Sequence, residues 1–324
     1  MNWRALAAAL ICGLVVAAPQ ARGAEYPIRP IKLIVPYPAG GPTDVLGRMV
    51  AEYLGRDLKQ SVVVENKGGA QGAIGAEAVA HAEADGYTLL FTASSVLELN
   101  PLLYKKLAYD PEREFRVLAV VTDTPAVMLV HPTVPAQSIA EFVAYAKQNP
   151  GKLNFGSAGT GGVGHLSGEM FKLMAGIGMT HVPYKGAGPA LADLIAGHIQ
   201  ATFETLGTAL PPLKAGLVRP LAVTAAKRIA DLPDLPTIAE SGYPDYQATV
   251  WYGAAAPIGV PAQIADTIRA SFNRALDDEV FRNSLARIGF PPQRSRSQAE
   301  IDKFVAADRA RWANVLTVLK ISLD

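Results

Sequence analysis

Residues 31–48 read IKLIVPYPAGGPTDVLGR, and this stretch decides the fold. Ile31–Val35 is a short apolar run with a β-branched bias, which predicts a strand. From Thr43 to Gln60, Val45, Leu46, Met49, Val50, Tyr53 and Leu54 fall on one face at the 3.6-residue period, which predicts an amphipathic helix. Between them lie three prolines, two glycines, Tyr37 and Ala39, with no charge. A strand, a Gly/Pro turn and a helix in this order open a parallel α/β unit.

The same alternation continues outward. Val62–Glu65 and Thr88–Thr92 read as further strands. The long apolar run Val117–Val130, interrupted by Asp123, Thr124 and Pro125, reads as a strand that passes from one lobe to the next. A second series follows: helix Ser138–Gln148, strand Leu153–Phe155, helix Leu166–Ala175, strand Thr180–Val182, helix Pro189–Ala196, and strands Ile199–Phe203 and Leu221–Thr224. A proline-rich stretch, DLPDLPTIAESGYPDY, breaks the pattern. Val250–Ala256 then reads as a second crossing strand, and the chain closes with helices Pro261–Leu276, Glu279–Ile288 and Gln298–Leu319. The expected fold class is α/β in two lobes, each a mainly parallel sheet flanked by helices, with the two crossing strands as hinge. Residues 25–123 with 226–324 form the first lobe and 124–225 the second. No internal repeat or low-complexity segment stands out.

At 324 residues, half of them hydrophobic, the chain can bury two cores. The formal net charge is +1 and no polybasic run occurs, so no nucleic acid or acidic membrane partner is expected. Residues 1–24 read as a secretory signal peptide: Arg4, then the 14 apolar residues Ala5–Ala18, then small residues ending at Gly23 and Ala24. The mature chain is then expected outside the cytoplasm. Cys12 is the sole cysteine and lies in the leader after Ile11, which is too large for a lipidation site. The mature chain then has no thiol, no disulfide and no cysteine metal site.

In open α/β sheets, ligands bind beyond the carboxyl ends of the strands, where helix N-termini present unpaired amides. The turn PYPAGGPTD has the right composition. Gly40 and Gly41 let the backbone approach a ligand, proline costs no needed donor at a helix start, and Thr43 brings a hydroxyl. Backbone amides can hold an anion without a counter-ion, which explains the lack of charge. NFGSAGTGGVGHLSGEMF repeats the plan in the second lobe. Two such turns across a cleft suggest a clamp for a small carboxylate. Ser94 and Ser95 end the strand Thr88–Thr92 and can add hydroxyls. Tyr184 and Lys185 end another strand, and Glu204 a third. Tyr37 and Tyr184 suit an aromatic acid or a plain pocket wall.

Other chemistry finds little support. Gly159–Gly164 matches G-x-G-x-x-G, but no acid follows the next strand, where Pro183, Tyr184, Lys185 and Gly186 stand. No paired-histidine zinc motif occurs. Ser157 in FGSAG lacks the first glycine of a nucleophile elbow. His165 and His181 read as structural, Trp251 and Tyr252 as packing, Asp277-Asp278-Glu279 as a solvated face, and Lys185 as a surface lysine or a partner of Glu204. No catalytic residue, metal or cofactor is expected.

YPIRPIKLIVPYPAGGPTD, VVVENKGGAQGAIGAEAVAHAEADGYTLL, NPLLYKKLAYDPEREF, NPGKLNFGSAGTGG, HVPYKGAGPALADLIAGHI, LPDLPTIAESGYPDY and WYGAAAP follow in the order found in the Bug family. These are the substrate-binding receptors of tripartite tricarboxylate transporters, and the resemblance covers essentially the whole mature chain. It implies a periplasmic binding protein of the two-lobe type II class. It also implies a ligand carboxylate held by the backbone amides of a turn made of Pro38, Ala39, Gly40, Gly41 and Thr43, where Pro38 shapes the turn without a donor, with Asp44 in the same turn, and by those of Ser157, Ala158, Gly159, Thr160 and Gly161, often through waters. Many relatives have serine where this chain has Gly162, and aspartate where it has Glu204. The implied partners are a small organic acid and the membrane permease subunits, with the receptor as a monomer. A sensor docking on a membrane kinase, or a hydrolase or dehydrogenase, are the alternatives.

Overall fold

The computed structural model describes residues 26–319. The expected leader, residues 1–24, and Cys12 lie outside the described residues.

Strand β1 (Ile31–Val35) leads through the Gly/Pro turn into helix α1 (Pro42–Asp57). Leu46, Val50 and Leu54 of α1 are at most 1% exposed. Burying each such side chain is worth about 1.5–3 kcal/mol, which holds the helix on the sheet. Strand β2 (Val62–Asn66), a 3₁₀ turn (Ala70–Gly72), helix α2 (Ala73–Ala80) and strand β3 (Thr88–Ala93) follow. A π-helical turn (Ser95–Leu99) and the short helices α3 (Asn100–Leu103) and α4 (Pro111–Glu114) lead into strand β4 (Phe115–Val130). The second half contains α5 (Ile139–Gln148), β5 (Asn154–Ser157), α6 (Val163–Ala175), β6 (Thr180–Pro183), α7 (Ala187–Ala196), β7 (Ala201–Thr205), α8 (Leu206–Lys214) and β8 (Arg219–Val223). The chain returns through β9 (Thr249–Pro257) and ends in α9 (Ala262–Asp277), α10 (Glu279–Arg287) and α11 (Gln298–Leu319).

The strands form one curled mixed sheet in the order β2-β1-β3-β9-β4-β7-β5-β6, with β8 also paired to β4. The outer pairs β1·β2, β1·β3, β5·β6 and β5·β7 are parallel, as crossover helices require. Around β4 and β9 the pairing is antiparallel, because these two strands run between the halves in opposite directions. Along β4 the neighbour changes abruptly: Phe115 to Pro125 pair with β9, and Ala126 to Val130 pair with β7. Asp123, Thr124 and Pro125 therefore do not end the strand; they mark where its partner switches.

Thr224 clips this junction. Its Oγ1 accepts from Ala126 N at 2.7 Å and donates to Ala248 O at 2.5 Å. Segment 226–248 contacts the second half. Ile238 N donates to Val223 O, Tyr246 Oη donates to Ser167 O at 2.9 Å, and Leu232 and Leu235 pack against the apolar cluster of β4 and β8.

Helix α8 carries no sequence signal. Pro211 and Pro212 lie inside it and remove two backbone donors, yet the helix forms because Leu206, Ala209 and Pro212 are buried against the sheet.

Candidate functional site

The carboxyl ends of β1, β5, β6 and β7 open on one cavity of about 1000 Å³. Three glycine-capped helices begin at its wall: α1, α6 and α7. Their N-caps are Gly41, Gly162 and Gly186, and none makes a side-chain cap bond. The first amides of each helix lack an intrahelical acceptor, and with a glycine cap no side chain supplies one. The dipoles of all three add positive potential at one place.

Each turn is held in shape from behind. Asp44 is buried, and its carboxylate accepts from Gly40 N at 2.9 Å, from Arg48 Nε at 3.0 Å and from Asn66 Nδ2 at 2.9 Å. Burial alone would raise its pKa, but the hydrogen bonds from Arg48, Gly40 and Asn66 win and hold it below the usual carboxylate value. Gly40 has φ +85°, so the turn needs a residue without a β-carbon. In the second turn, Gly161 N donates to His165 Nδ1 at 3.0 Å. Ser157 Oγ lies 2.7 Å from His181 Nε2 and donates to Gly159 O at 3.0 Å. The two imidazole rings lie 3.9 Å apart. Burial, and then Lys172 for one and the other ring for its neighbour, push both pKa values down to about 4, so both rings are neutral at pH 7.

The sequence-predicted residues divide accordingly. Tyr37, Pro38, Ala39, Gly40, Gly41 and Thr43 of the first turn line the cavity, as do Ser95, Ala158, Gly159, Gly162, Tyr184, Lys185 and Glu204. Asp44, Ser94, Ser157, Thr160 and Gly161 do not line it. Asp44 and Ser157 act as braces behind the turns. Ser94 is fully buried, whereas its neighbour Ser95 turns to the cavity and bonds Tyr37 Oη at 3.1 Å. The amides of Gly40 and Gly161 are already taken. Among the described residues, those of Ala39, Gly41 and Ala158 carry no hydrogen bond. Tyr184 is oriented by its hydroxyl, which donates to Asp193 Oδ2 at 2.6 Å. Lys185 is exposed and makes no ion pair with Glu204 among the described residues.

Several wall residues carried no local signal. Gln71 and Ala70 reach the cavity from the 3₁₀ turn, with left-handed φ of +52° and +45°. Such strain in non-glycine residues clusters at functional sites. The glycines around them in KGGAQGAIG were the available clue. Tyr252, read from sequence as packing, does pack, edge-on against Phe290, and also lines the cavity. Its neighbour Trp251 does pack, donating to Glu98 Oε1 at 3.0 Å, because successive side chains on β9 point to opposite faces. Val45, Val163, Leu191, Phe203, Ile288 and Phe290 make much of the remaining wall apolar.

Lys185 and Glu204 are the charged residues of this lining. Glu204 is 4% exposed and accepts from Thr202 Oγ1 at 3.1 Å. Burial pushes its pKa up to about 8 against the opposing effect of that hydrogen bond. No group of His, Cys, Asp and Glu among the described residues could hold a metal ion. The arrangement can hold a small anion at backbone amides, with an apolar body against the walls.

The family model described as tripartite tricarboxylate transporter family receptor matches residues 46–321. BugT of Bordetella pertussis is 36% identical over 292 residues, covering 90% of this chain and 89% of that protein. A structure of an R. palustris protein with adipate is 38% identical, with a TM-score of 0.87, over 92% of this chain and 99% of that one. MatC from Rhodopseudomonas palustris with bound malate is 32% identical, with a TM-score of 0.83, over 90% and 100% of the two chains. The shared architecture is the two-lobe type II fold expected from the sequence, built here on a mixed sheet.

Proposed function

The chain belongs to the tripartite tricarboxylate transporter receptor family, and from that premise we propose that it is a periplasmic receptor that captures a small organic carboxylate between its lobes and delivers it to the membrane permease, without covalent chemistry. The observation that carries this reading is the convergence of the glycine-capped N-termini of α1, α6 and α7 on one cavity. A carboxylate there gains amides, such as those of Ala39, Gly41 and Ala158, that have no partner among the described residues. The structures with adipate and malate support the same ligand chemistry.

In this reading the lobes meet where β4 changes partner between Pro125 and Ala126, and where the chain returns between Ala248 and Thr249. That moves the return from residue 226 to the end of the proline-rich segment, which packs with the second half. The ligand touches turns from both lobes, so it favours the closed state by the sum of those contacts.

A thermal-shift panel of organic acids tests the reading, on mature protein unfolded and refolded to remove carried ligand. An acid at a hundred times its dissociation constant adds about 2.7 kcal/mol of stability, which raises Tm by several degrees. A shift confined to one acid class supports the receptor and names its ligand class. A folded protein that responds to none of the panel overturns it.

A further inference from the structure

We propose that Glu204 is the second recognition point of the cleft: its carboxyl group donates a hydrogen bond to the far end of a ligand whose carboxylate sits at the helix N-termini. It thereby selects a carboxylate with a distal oxygen acceptor, as in a linear dicarboxylate. This rests on the carboxylate-receptor reading above.

The geometry supplies the argument. Glu204 stands at the carboxyl end of β7, buried and facing the cavity. Oε1 lies 3.1 Å from Thr202 Oγ1, whose hydroxyl also reaches Gly156 O at 3.1 Å, while Oε2 makes no hydrogen bond among the described residues. No Lys, Arg or His stands within ion-pair distance of it among the described residues. A buried carboxyl group with no cation beside it is held in its neutral form, and a neutral carboxyl is a donor as well as an acceptor. A cavity of about 1000 Å³ leaves room for a ligand with two separated ends.

The surrounding groups do not compete for the proton at neutral pH. Val127, opposite on β4, and Thr202 are uncharged. Tyr252 from β9 and Tyr37 from the first turn are pushed up by burial. His165 from α6 and His181 from β6 are held neutral. Lys185 is exposed. An ammonium on the ligand would require Glu204 to ionise first, so an ω-amino acid is disfavoured against a dicarboxylate at neutral pH.

Calorimetry with three probes of equal chain length, adipate, hexanoate and 6-aminohexanoate, tests this on wild type, Glu204→Gln and Glu204→Ala. Wild type is expected to prefer adipate. Its affinity for adipate is expected to fall about tenfold between pH 7 and pH 9, as the donor proton is lost. Glu204→Gln keeps a donor and should keep the preference while losing the pH dependence. Glu204→Ala should lose both. Adipate binding that is independent of pH and unchanged in Glu204→Ala overturns the inference. So does a preference for 6-aminohexanoate that strengthens above pH 8. A protein that responds in the acid panel but binds none of the three probes overturns this inference alone. One that responds to nothing in the panel overturns the receptor reading as well.

Discussion

The amide of Gly161 donates to Nδ1 of His165 at 3.0 Å. A backbone donor of the Gly-rich turn is thus aimed into helix α6 and away from the cavity. The histidine shapes the loop and leaves ligand contact to other amides.

His165→Ala should therefore act on stability first. It removes the acceptor of Gly161 and the ring stacked near Phe155 and His181. A loss of about 1–3 kcal/mol is expected in denaturant unfolding. Affinity for the best acid of the panel should stay within about threefold by calorimetry. A hundredfold loss would place the imidazole among the ligand contacts.

The same ring pair predicts a pH effect. Both imidazoles take a proton near pH 6.5 when unfolded and only near pH 4 when folded. The unfolded state binds more protons in between, so the stability they contribute is present above about pH 6.5 and lost as pH falls towards 4. Thermal unfolding followed from pH 7 to pH 4.5 should show Tm falling. His181→Gln should lose less than wild type over that range, and an equal loss would mean that other groups dominate.

Asp44 is a brace whose removal should be felt in the cavity it does not touch. Asp44→Ala removes the acceptor of Gly40 N and one of the two acceptors of Asn66 Nδ2, which keeps Tyr37 O, and takes away the carboxylate that Arg48 holds. A cost of about 1–3 kcal/mol in stability is expected. Carboxylate affinity should drop as well, because the first turn loses its shape. Unchanged affinity would show that α1 alone fixes the turn.

Thr224 is the test of the junction. Thr224→Val keeps the shape but leaves Ala126 N and Ala248 O without the hydroxyl, and should cost about 1–3 kcal/mol. Thr224→Ser keeps the hydroxyl and should recover most of it. Equal losses in the two variants, measured by chemical denaturation, would assign the effect to packing.

Much of this molecule was legible from local pattern. The apolar run at Ile31–Val35, the amphipathic face after Thr43 and the uncharged turn between them act over a few residues, and periodicity reports them directly. The two crossings were legible as well, since Val117–Val130 is one apolar run interrupted at Asp123, Thr124 and Pro125, and Val250–Ala256 is a second. Helix α8 was not, because Pro211 and Pro212 erase the local signal and only burial of its apolar face restores the helix.

By itself, the sequence determined the order of the strands and of the longer helices, the Gly/Pro turns and their place at strand ends, because each depends on residues adjacent in the chain. Only the tertiary structure decided which amides stay open. Gly40 is spent on Asp44 and Gly161 on His165, whereas the amides of Ala39, Gly41 and Ala158 carry no hydrogen bond among the described residues. It also decided that Tyr252 faces the cavity, and that Gln71 meets the second turn. A β-carbon on Gly159 would collide with the Gln71 side chain. Donors find acceptors, and walls meet across a cleft, between residues far apart in the chain, so no local pattern carries that information.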